Sequence, residues 1–214
     1  SVPEEQSTSH STTVDLCEVR GQEIARRALE IAAAGGHNLI FWGAPGCGKS
    51  MLAMRMPSIL PELSQEEAID ITRIHSAAGI HHHSGLMTVR PFRAPHHSSS
   101  VPAMIGNAKL VPGEATLAHN GVLFLDEIAE FRRDVLEALR GPIENKKIQL
   151  TRASGSIQFP ANFSLVSAAN PCPCGWRFHP HRQCMCSPAQ IDRYQAKLSG
   201  PIRDRIDIHV WVNP

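Results

Sequence analysis

The stretch that most constrains this chain runs from Leu39 to Ser50. Four apolar residues, Leu39-Ile40-Phe41-Trp42, are followed by Gly43-Ala44-Pro45-Gly46-Cys47-Gly48-Lys49-Ser50. The octet satisfies G-x-x-x-x-G-K-[ST] without deviation, with a short strand leading in and a helix-compatible run, Lys49 to Leu60, leading out. The glycines let the backbone curl so that successive N–H groups face inward as an anion nest. A helix starting near Lys49 adds the partial positive charge of its N-terminus. Lys49 is then placed to reach outer phosphates, and the Ser50 hydroxyl to ligate magnesium. With strand, loop, Lys and Ser all in place, a turn that binds nothing is set aside, and the loop reads as a nucleoside triphosphate site.

A second stretch, Val122-Leu123-Phe124-Leu125-Asp126-Glu127, has four apolar residues of the kind a strand buried on both faces needs, as in a parallel sheet. Its two carboxylates follow at the C-terminal end, where ligands sit in open α/β sheets. Paired with the phosphate loop, Asp126 reads as the magnesium carboxylate and Glu127 as the group that polarises the attacking water. Phe163 to Ala169 is a further buried strand ending in Asn170. A polar amide there either orients a water or senses a γ-phosphate, or is an ordinary turn residue; spacing alone does not choose.

The chain's 214 residues allow one generous α/β domain with a sizeable core. A net charge of +1 announces no global basic field, so any nucleic-acid surface must be local. No apolar run approaches the roughly 20 residues that span a bilayer, so no membrane role is expected. Residues 1–13 are Ser/Thr-rich and patternless and read as a disordered linker at the cut end of a longer chain, with residues 14–214 as one domain. Ile24, Ala28, Ile31 and Ala32 define an apolar helix face before Gly35-Gly36, and Ser64 with Glu67 forms a capping box opening another helix. Between Gly79 and Asn120 the pattern dissolves into Gly, Pro, His and Ser, with a strand expected at Thr88 to Phe92 and a short helix at Ser100 to Asn107. The histidines there, including His96 and His97, have no acid or cysteine at fixed spacing and read as a hydrated loop.

After Glu127 comes a helix with Val135, Leu136, Leu139 and Ile143 on one face. A hairpin follows, with strands Ile148 to Thr151 and Ser156 to Phe159. Lys146, Lys147 and Arg152 flank or cap it, either as a solvated edge or as a DNA-facing surface. Then Cys172-Pro173-Cys174 precedes Cys184-Met185-Cys186. Four thiolates in two close pairs suit a tetrahedral zinc site, although C-x-C is tighter than the usual C-x₂₋₄-C. Disulfides and unliganded thiols remain alternatives, and His179 or His181 can replace a sulfur. Cysteines beside a phosphate loop point to a reducing, cytoplasmic setting. A helix from Pro188 to Ser199 and a half-buried strand from Ile206 to Val212 close the chain.

The order of these motifs, together with Ser167-Ala168-Ala169-Asn170-Pro171-Cys172-Pro173-Cys174-Gly175, Gly200-Pro201-Ile202-Arg203-Asp204-Arg205-Ile206-Asp207 and the run Arg90 to Ser98, resembles the AAA+ ATPases related to the magnesium-chelatase ATPase subunit. Within them it is most similar to the bacterial ComM-type competence family. The resemblance implies an α/β AAA+ core with a five-stranded parallel sheet flanked by helices. It also implies an insertion at the second helix (residues 108–119) and a β-hairpin before the strand that ends in the first sensor, Asn170. It makes Arg205 the arginine finger reaching a neighbouring subunit's nucleotide, with Arg203 as a rival. It further implies ATP and Mg²⁺ as cofactors, a homo-hexamer acting on DNA, and a C-terminal helical lid that this sequence lacks.

Two functions follow from it. One is the ATP-hydrolysing motor of a branch-migration helicase in natural transformation or recombination. The other is a chelatase-like ATPase that remodels a protein partner without binding DNA.

Overall fold

The computed structural model describes residues 14–80, 85–107, 109, 111–152, 155–198 and 200–213; the N-terminal segment 1–13 and His81 to His83 lie outside them. Helix α1 (Glu23–Gly35) leads into strand β1 (Leu39–Trp42), which ends in the glycine-rich loop and helix α2 (Lys49–Ala53). After α3 (Gln65–Ala77), β2 (Phe92–Arg93), α4 (Val101–Ile105) and α5 (Glu114–Leu117) comes β3 (Val122–Leu125). Then α6 (Arg133–Asn145) precedes β4 (Lys147–Arg152) and β5 (Gly155–Pro160), and β6 (Ser164–Ala169) follows. The chain ends with α7 (Pro188–Lys197), α8 (Gly200–Arg203) and β7 (Ile208–Trp211).

Five strands form one parallel sheet in the order β2-β3-β6-β1-β7, and β4 and β5 pair separately as an antiparallel hairpin. This is the expected α/β core with a hairpin before β6. Alternation along each central strand divides the apolar run between two cores, one per face. Leu39, Phe41, Val122, Phe124 and Val166 pack with α1 and α2 on one side. Ile40, Leu123, Leu125 and Leu165 pack with α6 on the other. That is why these strands read as unbroken hydrophobic stretches: both faces are covered.

Local signals held at most element ends. Ser64 and Glu67 make the capping box of α3, and Ser187 with Gln190 makes a second one for α7. Val135, Leu136, Leu139 and Ile143 form the buried face of α6. Helix α1 differs from expectation. Ala28 and Ala32 are buried, but with Ala25, Leu29 and Ala33, whereas Ile24 is 75% exposed and Ile31 44%. The small side chains turn inward because α1 lies close against the sheet. The expected helix to Leu60 stops at Ala53, and Met56–Ile59 continues as a 3₁₀ turn with Pro57 in its first positions. The insertion expected over residues 108–119 falls between α4 and β3 and contains α5; residues 108 and 110 lie outside the described set.

Two polar side chains join the layers. Asn38 Oδ1 accepts from the Leu165 amide, its Nδ2 donates to the Arg205 carbonyl, and its own N–H donates to Asp207 Oδ2. One amide thus ties the starts of β1, β6 and β7. His119 is buried and its Nδ1 accepts from the Asn162 amide. Burial holds its pKa below the ordinary 6.5. Because the folded value lies below the unfolded one, this group's contribution is present above pH 6.5 and is lost as pH falls from there toward the folded pKa. Denaturant titrations over that range should therefore show stability declining with acidity in the parent, and a shallower decline between pH 6.5 and 5.5 in His119→Gln.

Candidate nucleotide site

The phosphate loop sits at the C-terminal edge of the sheet, where β1, β3 and β6 end side by side. The register pairs Trp42 with Ala169 and Leu125 with Ser167, so Gly43, Asp126 and Asn170 emerge as neighbours. Gly46 and Gly48 adopt left-handed backbone, φ 79° and 96°, which only glycine does without strain. At Gly43 the constraint is space: a Cβ there would lie 2.5 Å from the Val212 carbonyl oxygen and 2.7 Å from Cys47 Sγ. Cys47 is buried under the loop, in the same core as Val212.

The side chains converge as their types suggested. Lys49 is 8% exposed, and its Nζ donates to the carbonyls of Gly43 at 2.7 Å and Ala44 at 2.9 Å and to Asn170 Oδ1 at 3.1 Å. Desolvation lowers its pKa from 10.5, opposed by Cys47, Asp126 and Glu127. The Ser50 hydroxyl donates to Asp126 Oδ2 at 2.7 Å. A hydroxyl and a carboxylate so placed are hard oxygen donors, a set suited to Mg²⁺, which keeps several waters and shares substrate phosphates. Glu127 follows in left-handed backbone, φ 49°, with its N–H donating to Asp126 Oδ1 at 2.9 Å. That conformation is uncommon for a residue with a Cβ and concentrates at functional sites. Its carboxylate is directed outward, 54% exposed, beside the nest.

One neighbour escaped sequence reasoning. His97 Nδ1 lies 3.8 Å from Glu127 Oε2, and its ring stacks at an angle on His96 and meets Phe131 edge-on. These histidines, read as a hydrated loop, bring one ring to the acidic end of β3. Only the Arg90 to Ser98 run carried a signal, and as a pattern rather than a contact.

The other expected residues stand elsewhere. Arg205 is ion-paired with Glu144 of α6, and its carbonyl is bound by Asn38. Asn38 and Gly43 are five extended residues apart, about 17 Å, so Arg205 is on the edge of the sheet opposite its own phosphate loop. Arg203 is exposed and borders a groove with Trp42, Arg177 and Trp211. Lys146 and Lys147 are exposed at the base of the hairpin, where Lys147 pairs with Pro160. Arg152 pairs with Gly155 at the far end, so the three basic residues form no single cluster. Cys172, Cys174, Cys184 and Cys186 come together, with all four Sγ atoms within 4.8 Å of one another.

The family model described as "Magnesium chelatase, subunit ChlI" matches residues 15–214. This chain belongs to that family. Competence protein ComM of Haemophilus influenzae is 50% identical over 205 residues, covering 95% of the chain and 40% of that protein. Uncharacterized protein YifB of Escherichia coli is 49% identical over 207 residues, covering 96% and 40%. The chain thus spans about two fifths of the length of these relatives. Among solved structures, NtrX from Brucella abortus in complex with ATP superposes with a TM-score of 0.56 at 15% identity, covering 92% of this chain and 38% of that one. The NtrX complex with ADP gives the same score. At that identity the likeness is one of fold alone. No helix among the described residues is long and apolar enough to cross a membrane.

A methyl group at Gly43 has nowhere to go, since its nearest neighbour is the backbone of Val212. Gly43→Ala should therefore cost about 1–3 kcal/mol of stability from overpacking and weaken binding of a fluorescent ATP analogue. Equilibrium denaturation and titration of the analogue read the two effects.

Proposed function

We propose that this domain is the ATP-hydrolysing motor of a ring-forming DNA translocase, a branch-migration helicase serving recombination of incoming DNA in the cytoplasm. The observation that carries the ATPase part is the convergence of Lys49, Ser50, Asp126, Glu127 and Asn170 at one edge of the sheet. ATP brings anionic oxygens to a lysine that now donates to two carbonyls, and the nest of Gly46 to Gly48 supplies N–H donors without reorganisation. Ser50 and Asp126 are the residues that would hold Mg²⁺, which would supply positive charge against the charge developing on the phosphate. Glu127, on the outward side, accepts a proton from the attacking water or orients it, and the Asn170 amide holds the geometry of the terminal phosphate.

The DNA part is supported by a relative named for competence that is half identical over this domain, and by Lys146 and Lys147 on exposed positions of the hairpin. The family description favours a second reading, a chelatase-like ATPase that remodels a protein partner. ATPase measurement with and without single-stranded DNA separates them, since stimulation by DNA belongs only to the first. Lys146→Ala with Lys147→Ala and Arg152→Ala should also reduce the salt dependence of DNA binding, without sequence preference. An unchanged salt slope returns the hairpin to a solvated edge.

Two substitutions separate binding from chemistry. Lys49→Ala should abolish ATP binding. Glu127→Gln should bind ATP and lose roughly a hundredfold or more in turnover, because it removes a group acting in the transition state. Near-parental turnover in Glu127→Gln would remove that carboxylate from the reaction.

Arg205 is too distant from its own nucleotide site to act there, which fits a finger supplied to a neighbouring subunit, worth about 10³-fold or more in turnover. Arg205→Ala and Lys49→Ala should each be inactive in the full-length assembly yet regain part of the activity when mixed. Arg203→Ala should keep most of it. A mixture that co-assembles and stays inactive would exclude Arg205.

A further inference from the structure

The segment from Cys172 to Cys186 joins the end of β6 to the start of α7 and contains neither helix nor strand. Within it only Cys172 and Gly175 are buried. Such a segment has no core of its own to fix its path, and Arg182 stacked over Trp176 at 4.2 Å and a Trp176–His179 edge contact are its main internal packing. What it does have is a point of convergence. Cys172 Sγ lies 3.4 Å from Cys174 Sγ and 3.6 Å from Cys184 Sγ, and Cys174 and Cys184 are 3.6 Å apart. With Zn–S bonds of about 2.3 Å, the edge of a tetrahedral tetrathiolate is about 3.8 Å. The observed separations are close to that edge and far from a bonded disulfide at about 2.05 Å.

The tight C-x-C spacing is therefore no obstacle: Cys172 and Cys174 supply one edge, and Cys184 with Cys186 closes the group. The backbone N–H groups of Arg177, Trp176 and Met185 lie close to the Cys172 and Cys174 sulfurs and favour their thiolate forms, while that of Gly175 donates to the Cys172 carbonyl at 2.9 Å. Amides aimed at sulfur are the outer-shell partners that orient metal-bound thiolates. His179 and His181 stand outside this group, stacked edge-on against each other.

The same segment touches the phosphate loop. Gly175 has φ 80°, and a Cβ on it would lie 2.5 Å from Pro45 Cδ and 3.9 Å from Asn170 Cγ. Pro45 lies within the nest, and Asn170 is the amide that accepts from Lys49. Tyr194 of the following helix is buried, with the Asn170 backbone amide near its oxygen. The cysteine group thus anchors a wall with the phosphate loop on one side and the sensor amide on the other.

We propose that Cys172, Cys174, Cys184 and Cys186 hold one structural Zn²⁺, and that the metal-fixed loop backs Pro45 and Asn170 so that nucleotide affinity depends on its occupancy. Four protein sulfurs leave no open coordination position, so the ion takes no part in hydrolysis. Softness of the donor set selects zinc over the magnesium that Ser50 and Asp126 would hold. The coupling rests on the reading of the phosphate loop as an ATP site; the metal site does not.

The test begins with metal analysis of protein purified without chelator, where about one zinc per chain is expected. Cobalt exchanged into the site should show the intense red-region absorption of a tetrahedral tetrathiolate. Cys174→Ser with Cys184→Ser should lose the metal. That variant should bind a fluorescent ATP analogue about tenfold more weakly, a loss of ~1.4 kcal/mol. Gly175→Ala probes the contact alone: it should keep zinc and still lose nucleotide affinity, because the new methyl group pushes on Pro45.

Substoichiometric zinc, iron in its place, or disulfides recovered under reducing conditions would overturn the metal site. Stoichiometric zinc with unchanged analogue affinity in both variants would overturn the coupling. Zinc-loaded parent protein that fails to bind the analogue would instead overturn the ATP reading, with the metal count untouched.

Discussion

An ammonium group withdrawn from water must be met by oxygen, and the Lys49 Nζ is where this chain meets that requirement. Two carbonyls of the glycine-rich loop and the Asn170 side chain surround it. Those oxygens come from the ends of two different strands, so the charge can be kept only if β1 and β6 finish in register. The burial that lowers its pKa is the condition that makes the site sensitive to anions: a cation held by neutral dipoles gains more from phosphate oxygen than one already hydrated.

That register depends in turn on the far end of the sheet. Asn38 uses its side-chain oxygen, side-chain nitrogen and backbone amide to bind the starts of β6 and β7 beside β1. An offset of one residue would exchange the two faces of every strand and place Leu39 and Phe41 in the wrong core. Asn38 at one edge and Lys49 at the other therefore bracket the same four-residue strand. The distance between them also separates the glycine-rich loop from Arg205, which shares its edge with Asn38.

Much of the site was legible because its chemistry is local in sequence. The octet Gly43 to Ser50 needs only a strand before it and a helix after it, and both are present. Asp126 and Glu127 could be singled out because four apolar residues announce a doubly buried strand and a phosphate-loop pattern stands in the same chain; acids at the end of such a strand are common by themselves. The face of α1 was misread, since periodicity marks where apolar residues recur but not which side the sheet approaches. Alanines make up most of the inward face, beside Leu29, and their small side chains permit the close approach. His97 was passed over for a related reason: thirty residues separate it from Glu127 in the chain, and no spacing rule links them.

By itself the sequence determined the strand-loop-helix with its glycine-rich loop, the acidic strand, the hairpin and the family to which all of them belong. Each is set by residues within a dozen positions of one another, where propensity, turn chemistry and periodicity act. The tertiary structure alone decided that Arg205 lies at the sheet edge opposite the glycine-rich loop, that the basic residues divide between the two ends of the hairpin, and that four cysteines meet in the loop whose Gly175 lies against Pro45. These facts depend on how parallel strands are ordered in the sheet, and that order is settled by packing across both faces rather than by any one segment.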